Sequence, residues 1–202
     1  MTMEPVDNFK QIRNLLEFRS EDDFYFLQVL QRKKDHNNQT VNGTNNNSRL
    51  IKSYYISSFD YYDSIEDEVK NMCDVYEARA CINLNRRSYY KTAFYTLKKI
   101  SDQIMNGDYS NIRKAYDSCV GKHSNEPDKK WILDIDHPNK DVSDMILFAE
   151  RKCMPEGRKF IANIPSKNGF HVIMRPFDLQ MFSYHYYDIK IQKNSPTNLY
   201  IP

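Results

Sequence analysis

No stretch of this chain approaches the roughly 18 consecutive apolar residues that a membrane-spanning helix needs, so no membrane partner is expected. Met1 to Lys10 is acidic and polar without an apolar core, which predicts no secretory signal and a cytosolic location. Under that location the Asn-x-Ser/Thr triplets at Asn38, Asn42 and Asn46 carry no weight as glycosylation sites. The cysteines Cys73, Cys81, Cys119 and Cys153 form no Cys-x-x-Cys pair, which argues against a zinc knuckle and for reduced, buried thiols. Charge of one sign is also lacking. With 29 Lys and Arg against 27 Asp and Glu, the net charge of +2 excludes a broad basic coat for duplex DNA and leaves room only for a local groove. The sequence carries no internal repeat.

What is present fits one domain, or one domain built from two intimate halves, of 202 residues with length enough for a real core. Hydrophobic residues make up 40% and charged residues 28%, the balance of a globular protein rather than a disordered one. Aromatics reach 13%, and such residues line cores and half-buried sheet faces more often than they stack on bases.

Periodicity predicts a short helix over Asn8 to Phe18 and β-prone runs over Phe24 to Leu30 and Leu50 to Ile56. The Asn-, Thr- and Ser-rich segment 35–48 between those runs reads as a flexible loop. Ser64 with Asp67 reads as a capping box for a helix through Tyr76. Arg79 to Asn85 alternates, with Ala80, Ile82 and Leu84 on one face and Arg79, Cys81, Asn83 and Asn85 on a polar one. Ser88 caps a long helix to about Met105, and a second helix runs from Ser110 to Val120. Residues 122–129 form a polar connector containing Pro127, dividing a first half, 1–121, from a second, 130–202. The second half reads as strand (Lys130 to Asp136), helix (Val142 to Lys152), strand (Phe160 to Ile164), turn (Ser166 to Gly169) and strand (Phe170 to Pro176). A short apolar stretch and strands over Tyr187 to Gln192 and Asn198 to Ile201 follow. This β-α-β-β pattern predicts an open sheet with helices on one face, in an α/β (α+β) protein.

The chemistry concentrates in three of these segments. In Trp131 to Asp136 the period of two sends Trp131, Leu133 and Ile135 one way and Asp134 and Asp136 the other. Two like charges that close repel unless a divalent cation sits between them, so magnesium or manganese is the expected cofactor. The same bookkeeping puts His171, Ile173 and Arg175 on one face of the next strand, and Asp188, Lys190 and Gln192 on one face of the last. Neighbouring strands would thus present Asp134, Asp136, Asp188, His171, Lys190 and Arg175 together. Carboxylates hold hard cations that bridge substrate phosphates, and the basic groups offset remaining phosphate charge. The Ser166-Lys167-Asn168-Gly169 turn adds backbone N–H groups and the Lys167 charge as a phosphate nest. Phosphoryl or nucleotidyl transfer by two-metal chemistry is the reaction class these residues suggest. Each piece has a plainer reading, since Asp-x-Asp is common on edge strands, a strand histidine is often structural, and Ser-Lys-Asn-Gly is an ordinary hairpin turn.

In this order, Ile132-Leu133-Asp134-Ile135-Asp136-His137-Pro138, then Ser166-Lys167-Asn168-Gly169-Phe170-His171-Val172, then Asp188 resembles the three motifs of the archaeo-eukaryotic primase superfamily. That superfamily includes primase-polymerases and the polymerase domains of bacterial end-joining ligases. The resemblance covers Lys130 to about Pro202, while the first half has only a compatible pattern. It implies a primase-like catalytic core, with an N-terminal α/β half packed on a C-terminal RRM-like sheet. It implies metal ligation and catalysis by Asp134, Asp136 and Asp188. Ser166 and His171 would contact the triphosphate, with Lys167 and Lys190 as helpers and Arg79, Asn83 and Asn85 facing the cleft from the first half. Expected partners are NTP or dNTP, a single-stranded DNA template and a helicase or other replication protein. The lack of zinc-stem, helicase or ligase domains suggests a phage or mobile-element source.

Two departures stand out. Family members often place glycine directly after the motif serine, where this chain has Lys167, and the third motif rests on one acid, for which Asp178 is a substitute. A non-catalytic single-strand-binding or inhibitory protein on the same sheet is the alternative reading. A metal-dependent nuclease or rolling-circle initiator would use Tyr186 or Tyr187 as nucleophile. Against the initiator, His185 has no histidine two residues away to form the His-x-His metal pair it needs.

Overall fold

The computed structural model describes residues 4–32, 48–124 and 126–202, which form a mixed α+β fold with two antiparallel sheets. The predicted loop 35–48 lies outside the described residues except for Ser48. The first half contributes β1 (Val6–Asp7), α1 (Phe9–Arg13), β2 (Asp23–Arg32), β3 (Ser48–Ile56), α2 (Phe59–Ser64), α3 (Glu66–Tyr76), β4 (Arg79–Ile82) and β5 (Arg87–Ser88). A helical lobe follows: α4 (Tyr89–Met105), a 3-10 turn (Tyr109–Lys114) and α5 (Ala115–Lys122). The second half is β6 (Trp131–Ile135), α6 (Ser143–Lys152), β7 (Phe160–Pro165), β8 (Phe170–Met174), α7 (Leu179–His185), β9 (Lys190–Gln192) and β10 (Thr197–Ile201).

The first sheet runs β1-β10-β4-β2-β3, with β5 against β2. Its backbone is β2, an aromatic and branched run that suits a strand covered on both faces. Tyr25, Leu27 and Val29 enter the main core with Ala80 and Ile82, while Phe24 and Phe26 point the other way onto Val120 and Tyr116 of the helical lobe. The final strand departs from the sequence reading. β10, expected with the second half, is buried at every residue between β1 and β4 of the first sheet. Such a pairing joins residues more than a hundred positions apart, and local periodicity carries no signal for it.

The helices follow the predicted signals in part: the Ser110 to Val120 helix, for example, is a 3-10 turn up to Lys114 and α-helical only over Ala115–Lys122. Ser88 caps α4 by accepting from the Lys91 N–H at 3.0 Å. Ser64, in contrast, caps nothing: it ends α2, where its hydroxyl donates to the Tyr61 carbonyl. Ser58, with an extended backbone and a hydroxyl that accepts from Tyr61 N–H, caps α2, and the helix through Tyr76, α3, starts after Ile65 with no side-chain cap. The Asn8 to Phe18 helix covers only Phe9–Arg13; of its expected apolar stripe Phe9, Ile12, Leu15 and Leu16, all but the half-buried Leu15 are buried. The apolar stretch after Pro176 forms α7, capped by Asp178, whose Oδ1 accepts from Gln180 N–H at 2.9 Å.

The second sheet runs β7-β8-β6-β9, an open sheet with α6 and α7 on one face. Leu133, Ile135, Val172 and Met174 pack on Met145 and Ala149 of α6 and Phe182 of α7. The opposite face divides: Ile132, Ile164 and Ile173 join the core of the first half, while the polar groups further along stay open.

Buried polar clamps hold the two halves together. The Asn85 side chain accepts from Lys130 N–H at 2.6 Å and donates to the carbonyls of Lys130 (3.0 Å) and Lys193 (3.3 Å), pinning the start of β6 beside the end of β9. Fully buried Arg87 donates to the Val120 and Asn85 carbonyls and to Asn194 Oδ1. Burial without a carboxylate partner lowers its pKa to about 10. Asn85→Ala strands a buried N–H and two carbonyls, so it is expected to destabilise the fold by about 1–3 kcal/mol in denaturant titration.

Tyr25 is fully buried, and burial pushes its phenol up to about 12, with Tyr54 also near 12. A raised phenol pKa means the folded state holds its protons where the unfolded state gives them up. That stability is complete below pH 10 and lost as pH rises from about 10 to 12. Tyrosinate absorbance at 295 nm is therefore expected to rise cooperatively with loss of helical circular dichroism. A smooth titration centred at pH 10 with the fold intact would contradict it.

Candidate active site

β6 lies between β8 and β9, and its register sets Asp134 directly opposite His171 on one side and Lys190 on the other. Directly opposed cross-strand side chains share a face with Cβ atoms about 4.5–5.5 Å apart. The sheet thus carries a row of His171, Asp134 and Lys190. His171 Nε2 is 3.4 Å from Asp134 Oδ1, and Asp134 Oδ2 accepts from Gln192 Nε2 at 3.1 Å. The imidazole is buried, and its Nδ1 lies 2.8 Å from the Thr197 hydroxyl of β10. When that hydroxyl donates to Nδ1, the hydrogen of the neutral ring sits on Nε2 and faces the carboxylate.

Beside this row stands the hairpin turn between β7 and β8. Ser166 N–H donates to the Gly169 carbonyl at 2.9 Å, which closes the turn. A Cβ on Gly169 would lie 1.9 Å from the Ile135 carbonyl oxygen and 3.0 Å from His137 N. Close approach to the β6 backbone, not a left-handed conformation, is what requires glycine here. It brings Ser166, Lys167 and Asn168 alongside Asp134 and Asp136.

These groups open into a cleft of about 690 Å³ between the two sheets. The second sheet supplies Asp134, Asp136, the 166–168 turn, His171, Lys190 and Gln192 to it, and the first sheet supplies Arg79, Cys81 and Asn198. Arg79 and Cys81 occupy the face of β4 opposite Ala80 and Ile82, as alternation predicts.

Of the residues singled out in the sequence, Asp134, Asp136, Ser166, Lys167, His171, Lys190 and Arg79 line this cleft. Asn83 and Asn85 do not: both are buried, Asn85 as a clamp and Asn83 beside Arg87 and the 194–196 segment. Their strand ends at Ile82, so alternation stops before it reaches them. Asp188 sits in the turn before β9, its side chain 58% exposed, with its carboxylate 3.0 Å from Lys140 Nζ. The Lys140 hydrogen bond holds that carboxyl below the ordinary carboxylate range. Asp178 is the cap of α7, and Arg175 is exposed beyond the end of β8; neither lines the cleft. Gln192 and Thr197, which hold Asp134 and His171, had no role in the sequence reading. Gln192 carried a usable signal, two residues after Lys190 on the same face, whereas Thr197 carried none.

Asp134 on β6 and Asp136 just past its end both line the cleft, and two such hard oxygen donors fit a magnesium or manganese ion that shares its remaining positions with water and phosphate oxygens. Among the described residues, no three His, Cys, Asp or Glu side chains converge on one point, so such an ion would draw on Asp134 and Asp136 together with substrate. Comparison with protein-family models, curated proteins and solved structures gives no match.

Proposed function

We propose that this cleft performs primase-polymerase-type nucleotidyl transfer, adding nucleoside triphosphates to a nucleic-acid strand or starting a primer. The observation that carries the reading is the register of β6, which surrounds the acids with His171, Lys190 and the 166–168 turn in one cleft. The strand order β9-β6-β8-β7 along a β-α-β-β-α-β path is also that of an RRM-like sheet, the expected setting for the three motifs. A divalent ion held by Asp134 and Asp136 would neutralise phosphate charge and activate the attacking hydroxyl.

The protein's own groups have separable tasks. Lys167 and the turn backbone bind the outer phosphates, and Lys190 offsets charge on the other side of the acids. His171, oriented by Thr197, keeps Asp134 turned into the cleft and donates to a phosphate oxygen when one displaces the carboxylate. Arg79 meets the nucleotide from the opposite sheet.

A second reading is favoured by one observation: the Asp188 carboxylate is engaged by Lys140 at the rim. A protein that keeps this sheet to bind single strands without catalysis would have the same cleft. Labelled NTPs and dNTPs, offered with magnesium or manganese on single-stranded and primed templates, separate the two. Template-dependent product supports nucleotidyl transfer. Strand binding with no product on any template, indifferent to metal, selects the second reading.

A further inference from the structure

The helical lobe presents its largest helix inside out. In α4, Thr92 is the one buried side chain, and the face toward α5 is mixed: Tyr89 packs with Val120 and Tyr116 at its start, and further along Lys99 Nζ reaches the Ser118 hydroxyl at 2.5 Å. The outward face is apolar instead: Tyr90 is 67% exposed, Phe94 57%, Leu97 65%, Ile104 50% and Met105 81%. Tyr90, Leu97 and Ile104 recur every seven residues and Phe94 fills the four-residue step, so they form one stripe along the helix. Side chains at this spacing are the knobs and holes that receive a second helix. A solvent-facing helix carries such a stripe at a cost in solubility, and contiguous exposed apolar patches mark interaction sites.

Charge specifies the occupant. Exposed Lys91 and Lys98 flank the stripe one helical step from Tyr90 and Leu97, with the single exposed acid of α4, Asp102, following them on the same side. Residues 89–124 carry six Lys and Arg against three Asp and no Glu, a local excess in a chain of net charge +2. Tyr90 and Phe94 offer a stacking surface at one end of the stripe, but the aliphatic Leu97, Ile104 and Met105 that fill the rest offer none, so a helix fits its whole length better than a nucleic-acid strand does. A second copy paired antiparallel about Leu97 would set Lys98 near its own symmetry mate. We infer that α4 is a docking surface for an acidic amphipathic helix of a partner protein. Apolar side chains of the partner, at seven-residue spacing, fill the stripe, and carboxylates beside them meet Lys91 and Lys98. The site lies on the helical lobe, apart from the cleft, and does not depend on the reaction proposed there.

The test uses the full chain and a labelled synthetic helical peptide with leucine at the a and d positions and glutamate at e and g. A twin peptide has lysine in place of every glutamate. The acidic peptide is expected to bind at least about tenfold tighter than its twin by fluorescence anisotropy. Phe94→Glu/Leu97→Glu is expected to weaken that binding at least about tenfold, the scale of losing an apolar anchor. Both side chains are exposed, so circular dichroism should be unchanged. Lys91→Glu/Lys98→Glu should reverse the preference between the peptides. Equal binding of the twins, no binding of either, or binding that survives Phe94→Glu/Leu97→Glu overturns the proposal. So does a dimer in sedimentation, or binding of a labelled single-stranded oligonucleotide, that this double variant abolishes: the first assigns the stripe to a second copy, the second to nucleic acid.

Discussion

Asp134→Asn is expected to lower nucleotide incorporation by about a thousandfold or more, with the melting temperature nearly unchanged. The substitution keeps the size of the side chain and an amide oxygen that still accepts from Gln192, so the local packing survives. What disappears is one of the two carboxylates that, among the described residues, line the cleft. Charge stabilisation of a transferring phosphoryl group by a bound cation amounts to several kcal/mol, and each 1.4 kcal/mol is about a factor of ten in rate. Asp136→Asn should act in the same direction. Asp188→Asn provides the contrast, since its carboxylate pairs with Lys140 at the rim and incorporation should fall far less. Radiolabelled product on a primed template is the measurement. Activity of Asp134→Asn within a few-fold of wild type would remove that carboxylate from the chemistry. An Asp188→Asn loss as deep as that of Asp134→Asn would show that the third acid enters the cleft during turnover.

Gly169→Ala is expected to cost about 3 kcal/mol, or about 6–12 °C in melting temperature for a chain of this size. A methyl group at this position would overlap the Ile135 carbonyl oxygen, and that oxygen belongs to the central strand of the second sheet. Strand and turn must separate to relieve the clash. Such movement shifts Ser166 and Lys167 away from Asp134 and Asp136, so nucleotide affinity should fall together with stability. Calorimetry on the two proteins decides it: an unchanged melting temperature would mean that the turn relaxes freely and is not held against β6. Gly107 serves as a control for the clash, having open space around its Cβ direction but a positive φ of 71°. There Ala introduces backbone strain alone.

The cleft-facing residues were legible wherever a strand alternates. Asp134, His171, Lys190 and Arg79 reach the cleft because a period of two is a property of the extended backbone, independent of the partner strand. The same rule failed at Asn83 and Asn85, where β4 had already ended, and at Asp188, which precedes the first paired residue of β9. Capping was legible at Ser88 and misread at Ser64, because a serine caps only where its backbone is extended. Ile173 is the clearest limit. It shares a face with His171, yet one side chain is buried against the first half and the other borders a cleft.

By itself, the sequence determined which side chains share a strand face and which helices are amphipathic, because both follow from backbone geometry between near neighbours. The tertiary structure alone decided that β10 returns to the first sheet, bringing Thr197 under His171, and that the outward side of α4 is its apolar one. Those outcomes rest on contacts between residues far apart in the chain. Whether a given face meets solvent, a helix or a second sheet is settled by the summed burial of the whole fold, which no local period records.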